Sequence, residues 1–282
     1  MNYRHGFHAG NHGDVLKHVL LTRLLAYLNR KDKPYRVIDA HAGIGIYGLD
    51  GVEALKTGEW EGGIGRMAAP FASEIEELLA PYRAIIAAIN SDDQMKRYPG
   101  SPEIAVRMMR KHDRMIANEL QPECHEMLAR NYWQDARVKL MQTDAETCVK
   151  ASLPPPERRG IVLIDPPYEQ KGEAVKAARM LGEGLKRFAT GIFVLWYPVK
   201  AKGDETICLD AATALGVPGT LMAELRVREP FRQGGLAGSG LIVVNAPWGL
   251  DAELELLLPA LAGRLGVGEW GRGTVEWLVP PT

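Results

Sequence analysis

An alternation of short apolar runs with stretches of helical spacing limits most tightly how this chain can fold. The clearest run is residues 161–164, Ile-Val-Leu-Ile between Gly160 and Asp165, with no polar residue inside it. A strand with no polar alternation is one buried on both faces, as in a parallel sheet covered by helices. The run at 191–196 has the same character, and those at 35–40, 115–120 and 138–142 are short apolar runs with polar residues among them. Between them, helical spacing appears at 102–109, 124–131, 146–153 and 173–188, and residues 211–215 fall in a further helix. Strand and helix in turn predict a doubly wound, mostly parallel α/β sheet.

Ahead of the first strand, apolar residues at 15, 16, 19, 20, 24, 25 and 28 mark a helix over 14–28, with Asp14 suited to cap it. Residues 49–97 break the rhythm. They carry Gly62-Gly63, Pro70, Pro81 and helical patches at 72–80 and 82–90, and read as a helical insertion in a single domain spanning 1–282. Runs at 221–227 and 239–244 are expected to close the sheet as an antiparallel pair around Gly234-Gly235.

Composition narrows the class further. Hydrophobic residues make up 46% and charged residues 24%, the balance of a globular chain with a substantial core. No run of about 18 uncharged apolar residues appears, so no membrane partner is expected. The start, Met1-Asn2-Tyr3-Arg4-His5, has no apolar stretch behind it, and a cytoplasmic chain is expected. Three scattered cysteines, Cys124, Cys148 and Cys208, fit reduced thiols better than disulfides or a zinc site. Net charge is −1, so only local clusters could favour a polyanion. Arg107, Arg110, Lys111, His112 and Arg114 form one; Arg158-Arg159, Lys186-Arg187 and Arg226/Arg228/Arg232 form others. Solvated helix faces account for such clusters equally well.

Four features fall where successive strands end, the edge at which such sheets bind ligands. Asp39-Ala40-His41-Ala42-Gly43-Ile44-Gly45 allows a tight turn and close backbone approach, though a plain strand-helix turn would look the same. Glu119 could accept from both hydroxyls of a ribose, or be a surface carboxylate near a helix start. Asp144 could accept from an adenine amino group, or cap the next helix. Asp165-Pro166-Pro167-Tyr168 is the strongest of the four. Two prolines fix φ and remove two N–H donors, which leaves carbonyls on a stiff turn beside a carboxylate. Those two acceptors suit the two hydrogens of an aromatic amine, and Tyr168 could stack against an extruded base. Such an amine is a poor nucleophile, so positioning and electrostatics are what the turn would contribute.

The N-terminal stretch adds His5, His8 and His12, with Lys17-His18 following. Their spacing invites a zinc site, but no carboxylate or cysteine completes a ligand set, and no metal is expected. Aromatic, histidine and glycine residues ahead of a helix fit a pocket wall, or equally an ordered arm.

Y-R-H-x-F-H-A-G-N-H-x-D-V-L-K-H at 3–18, D-x-H-A-G-x-G at 39–45, Y-P-G-S-P at 98–102, R-R-G-x-x-L-I-D-P-P-Y at 158–168 and L-W-Y-P-V at 195–199 together resemble the RlmJ family. Those bacterial enzymes methylate N6 of one adenine in domain V of 23S ribosomal RNA. The resemblance covers nearly the whole chain and implies a class I (Rossmann-like) SAM-dependent methyltransferase, using S-adenosyl-L-methionine and no metal. It places His18, His41, Ser101, Glu119, Asp144 and Asp165 at cofactor-binding positions. Asp165 also stands at the acid/base position with Pro166 and Tyr168 beside it, and Tyr3, His5 and Lys17 fall at substrate positions. The loop after Lys200 looks shorter than the family's. The implied partner is 23S ribosomal RNA, bound by a monomer. A DNA adenine-N6 methyltransferase would share the D-P-P-Y turn, but no separate target-recognition domain stands out. A non-catalytic RNA-binding module would have no need of intact Asp165 and Tyr168.

Overall fold

The structure, a computed structural model, describes residues 4–90, 94–200, 203–229 and 235–282. Tyr3, Arg232 and Gly234, singled out in the sequence, lie outside that set.

The first helix, α1 (His12–Asn29), is capped by Asn11, whose side chain accepts from the Asp14 N–H at 3.0 Å. The expected cap, Asp14, is instead a residue of the first turn, because Asn11 is the residue held extended just outside the helix. Nor is α1 buried along a stripe alone, since Asp14, Lys17, His18, Leu21 and Thr22 are buried as well. Charged and polar groups there must find partners within the protein.

From β1 (Arg36–Asp39) the chain passes through β2 (Ile46–Gly48), α2 (Val52–Thr57), α3 (Ser73–Ile89) and β3 (Arg97–Pro99). β2 and β3 pair antiparallel as a sheet of their own, with Ile46 opposite Pro99 and Gly48 opposite Arg97. The two helical patches expected on either side of Pro81 are one helix, with the proline inside it. An interior proline costs about 3 kcal/mol. The helix continues because both halves are anchored, Ile75 and Leu79 before the proline and Tyr82, Ile85 and Ile86 after it.

The remainder is α4 (Ser101–Met108), β4 (Arg114–Asn118), α5 (Pro122–Tyr132), β5 (Val138–Met141), α6 (Ala145–Ser152), β6 (Gly160–Ile164), α7 (Glu173–Arg187), β7 (Ile192–Val199), α8 (Asp204–Ala214), β8 (Thr220–Arg226), β9 (Gly238–Val244), α9 (Leu250–Leu265) and β10 (Arg272–Val279). Eight strands form the main sheet in the order β10-β8-β9-β7-β6-β1-β4-β5. The five from β5 to β7 are parallel. β9 runs antiparallel to β7 and β8, with Leu221 opposite Val243, and β10 antiparallel to β8. Neither α9 nor β10 is expected from the sequence, whose legible pattern ends at residue 244. Pro259 interrupts the helical pattern of α9, and Gly273, Thr274 and Glu276 dilute the apolar signal of an edge strand.

Adjacent residues of each inner strand point to opposite faces. Val37 and Ile161 join the core beneath α1, α4 and α9, whereas Ile38 and Val162 join the core beneath α6, α7 and α8. Each buried Leu, Ile or Val contributes about 1.5–3 kcal/mol, so both faces hold the sheet rigid. β1 has β4 on one side and β6 on the other, which puts the reversal of strand order, and the crevice it opens, at the carboxyl ends of β1 and β6.

The basic cluster at 107–114 lies at the opposite edge and is spent within the protein. Arg107 pairs with Glu103, Arg110 with Asp113, and Arg114 donates to the carbonyls of Lys111 and Asp113.

Candidate active site

A cavity of about 900 Å³ opens at the carboxyl edge of the parallel strands, and Asp165, Pro166 and Pro167 form part of its wall. Asp165 follows the fully buried strand β6, so its carboxylate is carried on one of the stiffest parts of the molecule. Across from it, Lys17 reaches from α1 and places Nζ 2.5 Å from Asp165 Oδ2 and 2.9 Å from Asp14 Oδ1. Asp14 Oδ2 accepts the Gly10 N–H and lies 2.9 Å from His5 Nε2. Burial alone would discharge Lys17, but Asp14 and Asp165 more than offset it and hold the ammonium well above its ordinary pKa. Burial likewise works against the Asp14 carboxylate, yet His5 and Lys17 keep it well below the usual range. One line of hydrogen bonds and ion pairs thus runs from His5 through Asp14 and Lys17 to Asp165.

His41, after β1, accepts the Asp165 backbone N–H at Nδ1 over 3.2 Å. Burial lowers its pKa to about 4. A neutral ring that accepts at Nδ1 carries its proton on Nε2. Asp39, at the end of β1, accepts from the Ser101 hydroxyl at 2.6 Å and from the His41 N–H at 3.1 Å. Burial raises this carboxyl to about 6 against those hydrogen bonds. Asp39 has no role that its sequence position could announce, since its work, holding His41 and Ser101, exists only in the folded chain.

The glycine turn closes over the next strand end. Glu119 accepts the Gly43 N–H at 3.0 Å and the Gln121 N–H at 2.8 Å, one on each oxygen. Gly43 and Gly45 have φ of +61° and +86°, and a Cβ on either would strike a tyrosine, Tyr47 at the first and Tyr132 at the second. Asp144 caps α6 through the Thr147 N–H and hydroxyl, as one of its two readings expects, and also lines the cavity. His18 lines the same cavity from α1, with Nδ1 2.9 Å from the Tyr98 hydroxyl and Nε2 buried without a partner.

Of the residues expected from the sequence, the structure gathers His5, Lys17, His18, His41, Ser101, Glu119, Asp144, Asp165 and Pro166 around this cavity. Tyr168 is a correction. With φ of +54° its side chain turns into the core, donates its hydroxyl to the Trp196 carbonyl at 2.7 Å, and is absent from the wall. The aromatic residues that line the cavity are Tyr47 and Trp196, the latter edge-on to Tyr168. The signal for Trp196 was the L-W-Y-P-V stretch ending the strand after the D-P-P-Y turn. Among the described residues there is no group of three or more His, Cys, Asp or Glu side chains placed to hold a metal ion. No helix among them is long and apolar enough to cross a membrane.

Setting aside the edge strand β10, seven strands with β9 alone reversed carry a cavity at their switch point, roofed by a glycine turn and floored by a D-P-P turn; this defines a class I methyltransferase. The family described as ribosomal RNA large subunit methyltransferase D, RlmJ, matches residues 32–279, and this chain belongs to it. Two relatives, each called ribosomal RNA large subunit methyltransferase J, are similar from end to end. The Haemophilus influenzae protein is 40% identical over 284 residues and the Escherichia coli protein 39% over 280, covering 99% of both chains in each case. A Legionella pneumophila protein of known crystal structure superposes with a TM-score of 0.84 at 33% identity, over 95% of this chain and 98% of that one.

Proposed function

We propose that this chain methylates N6 of an adenine in 23S ribosomal RNA, with S-adenosylmethionine as donor. The observation that carries the reading is Asp165, on the D-P-P turn at the cavity wall, held by a buried lysine. Family membership and the two relatives favour ribosomal RNA over DNA as the polymer.

The cavity suits the donor on its own residues. His18 Nε2, buried and without a partner among the described residues, asks for an acceptor, and Gly43 of the glycine turn brings bare backbone to the cavity wall. His18 and Ser101 would hold the amino-acid end, Glu119 the ribose and Asp144 the adenine amino group; each Glu119 oxygen keeps a lone pair beyond its backbone bond. The donor supplies a methyl group on a cationic sulfur.

The chain's own residues would do the rest. Asp165 accepts one hydrogen of the adenine amine and the Pro166 carbonyl the other, so the nitrogen lone pair is aimed at the methyl group. Lys17 holds Asp165 in place by an ion pair, while His41 holds the turn by accepting the Asp165 backbone N–H. Trp196 offers a face to the extruded base. Tyr3 and His5 are assigned to the RNA by the resemblance. Residues 1–282 are read as one methyltransferase domain with 49–97 as its insertion.

Transfer of labelled methyl groups to 23S ribosomal RNA fragments, with duplex DNA as comparison, tests the proposal. Asp165→Ala should keep its fold and lose roughly 10²–10³-fold or more in rate. Undiminished transfer by that variant, or a preference for DNA, would overturn it.

A further inference from the structure

The segment between β2 and β3 touches the candidate cofactor site through three aromatic side chains in line. The Tyr82 hydroxyl, on α3, is 3.1 Å from the Tyr98 hydroxyl, on β3, and that hydroxyl is 2.9 Å from His18 Nδ1. All three residues are buried to within 1% of complete exclusion from solvent. The Tyr98 and His18 rings lie 5.5 Å apart between centroids.

Three protons must be shared along this line, and only one arrangement puts the unmatched donor at the cavity instead of in the core. If His18 donated from Nδ1 to Tyr98, Tyr98 would donate to Tyr82, and the Tyr82 proton would have no acceptor, because Tyr98 is its partner among the described residues. A buried donor without an acceptor carries its full desolvation cost. With the direction reversed, Tyr82 donates to Tyr98 and Tyr98 donates to His18 Nδ1. A neutral imidazole that accepts at Nδ1 bears its one proton on Nε2. Burial keeps the ring neutral, its pKa pushed down to about 3. Nε2 is also the ring atom with no partner among the described residues, on a side chain that lines the cavity.

We infer that Tyr98, oriented by Tyr82, is a positioning residue that fixes His18 as the Nε2–H tautomer, so that a neutral donor meets an anionic acceptor on the bound ligand. The inference rests on the reading of the cavity as a site for S-adenosylmethionine, whose amino-acid carboxylate is such an acceptor. The helical segment then acts on cofactor affinity without touching the cofactor.

Nitrogen NMR of the histidine-labelled full chain, with His18→Asn for assignment, reads the tautomer directly and needs no ligand. The wild type should show the His18 proton on Nε2. In Tyr98→Phe that preference should be lost, and in Tyr82→Phe weakened. Calorimetric titration with S-adenosylmethionine should then show affinity reduced about tenfold or more in Tyr98→Phe and less in Tyr82→Phe, the scale of one hydrogen bond to a charged group. A wild-type proton on Nδ1 would overturn the inference whatever the variants do. So would Tyr98→Phe with an unchanged tautomer and unchanged affinity. A wild type that shows the expected tautomer yet binds no S-adenosylmethionine would instead sink the functional reading and with it the ligand named here, leaving the hydroxyl relay standing.

Discussion

Lys17 Nζ sits between two carboxylates, 2.5 Å from Asp165 and 2.9 Å from Asp14, and the lysine itself is buried. The contact joins the first helix to the turn after β6, two elements 148 residues apart in the chain. Two anions around one cation leave a net negative site, and His5 beside Asp14 relieves part of that excess when it carries a proton.

Lys17→Met keeps most of the volume and removes the charge. Breaking a buried pair from one side commonly costs about 3–5 kcal/mol, because the partner is left uncompensated. Here Asp165 keeps some access to solvent, so a loss toward the lower end, near 3 kcal/mol, is expected in denaturant melts. Methyl transfer should fall by about 10²-fold or more, through kcat, as Asp165 loses its anchor. Wild-type kcat in a folded Lys17→Met protein would remove Lys17 from the mechanism.

Acid should weaken the fold before it reaches the carboxylate range. Burial holds His18 at about 3 and His41 at about 4, and burial with Arg228 nearby holds His12 at about 4, all down from 6.5. Above pH 6.5 these rings are neutral folded or unfolded and contribute nothing. As pH falls from 6.5 toward 4 the unfolded chain takes up protons that the native state refuses, so stability drops. Asp39 opposes them, since its carboxyl, raised to about 6, binds its proton in the native state first. His8, held up by its hydrogen bond to Glu59, and Glu119, held up by burial, act with Asp39, but the three large histidine shifts outweigh them and leave a net loss, each uncompensated proton being worth about 1.4 kcal/mol per pH unit. Urea midpoints measured between pH 7 and pH 4 should fall steadily, and His12→Gln should flatten the slope. A midpoint that rises on acidification would contradict the buried neutral state of these rings.

Much of this was readable in the residues, and the parts that were not have physical reasons. Strand β6 and its D-P-P turn announce themselves because burial on both faces leaves an unbroken apolar run and two prolines stiffen the exit from it. The antiparallel pairing of β8 with β9 came from two such runs around glycines. Strand β10 escaped because an edge strand needs only one apolar face. Pro81 gave a false stop, since propensity is local while the burial of Tyr82 and Ile86 is not. Asp14 offered a cap by its type, but Asn11 was better placed, and Tyr168 gave no hint that its backbone would turn it inward.

Gly45→Ala should damage the cofactor side of the cavity. With φ of +86° any side chain is strained there, and the new methyl group would press on the ring of Tyr132, whose hydroxyl is fixed by Glu103 at 2.8 Å. A cost of about 1–3 kcal/mol in stability is expected from backbone strain of this kind. Affinity for S-adenosylmethionine should weaken alongside it, read by titration. An alanine variant with native melting and native affinity would show that the turn tolerates bulk.

Trp196 and Tyr168 should separate when each is altered. Trp196→Ala removes a ring that lines the cavity, and KM for the RNA should rise by about tenfold or more, the value of one base stacked on an aromatic face. Tyr168→Phe loses the hydroxyl's bonds to the Trp196 carbonyl and Cys208 Sγ, and should cost about 1 kcal/mol in stability with KM little changed. Steady-state kinetics beside thermal melts resolve the two, and a KM effect confined to Tyr168→Phe would reverse the assignment.

The stretch from residue 49 to residue 96 departs and returns at neighbouring points, since the Leu49 N–H donates to the Lys96 carbonyl at 2.8 Å just beyond the β2–β3 pair. A loop whose ends already meet can lengthen or shorten at little entropic expense, because closure grows only with the logarithm of length. In descent, the part of that stretch beyond the cavity-lining Gly51, Val52, Glu53 and Glu59 is therefore free ground for change in size and surface. What such drift must also preserve is the phenol of Tyr82, without which a distant imidazole would be oriented less firmly.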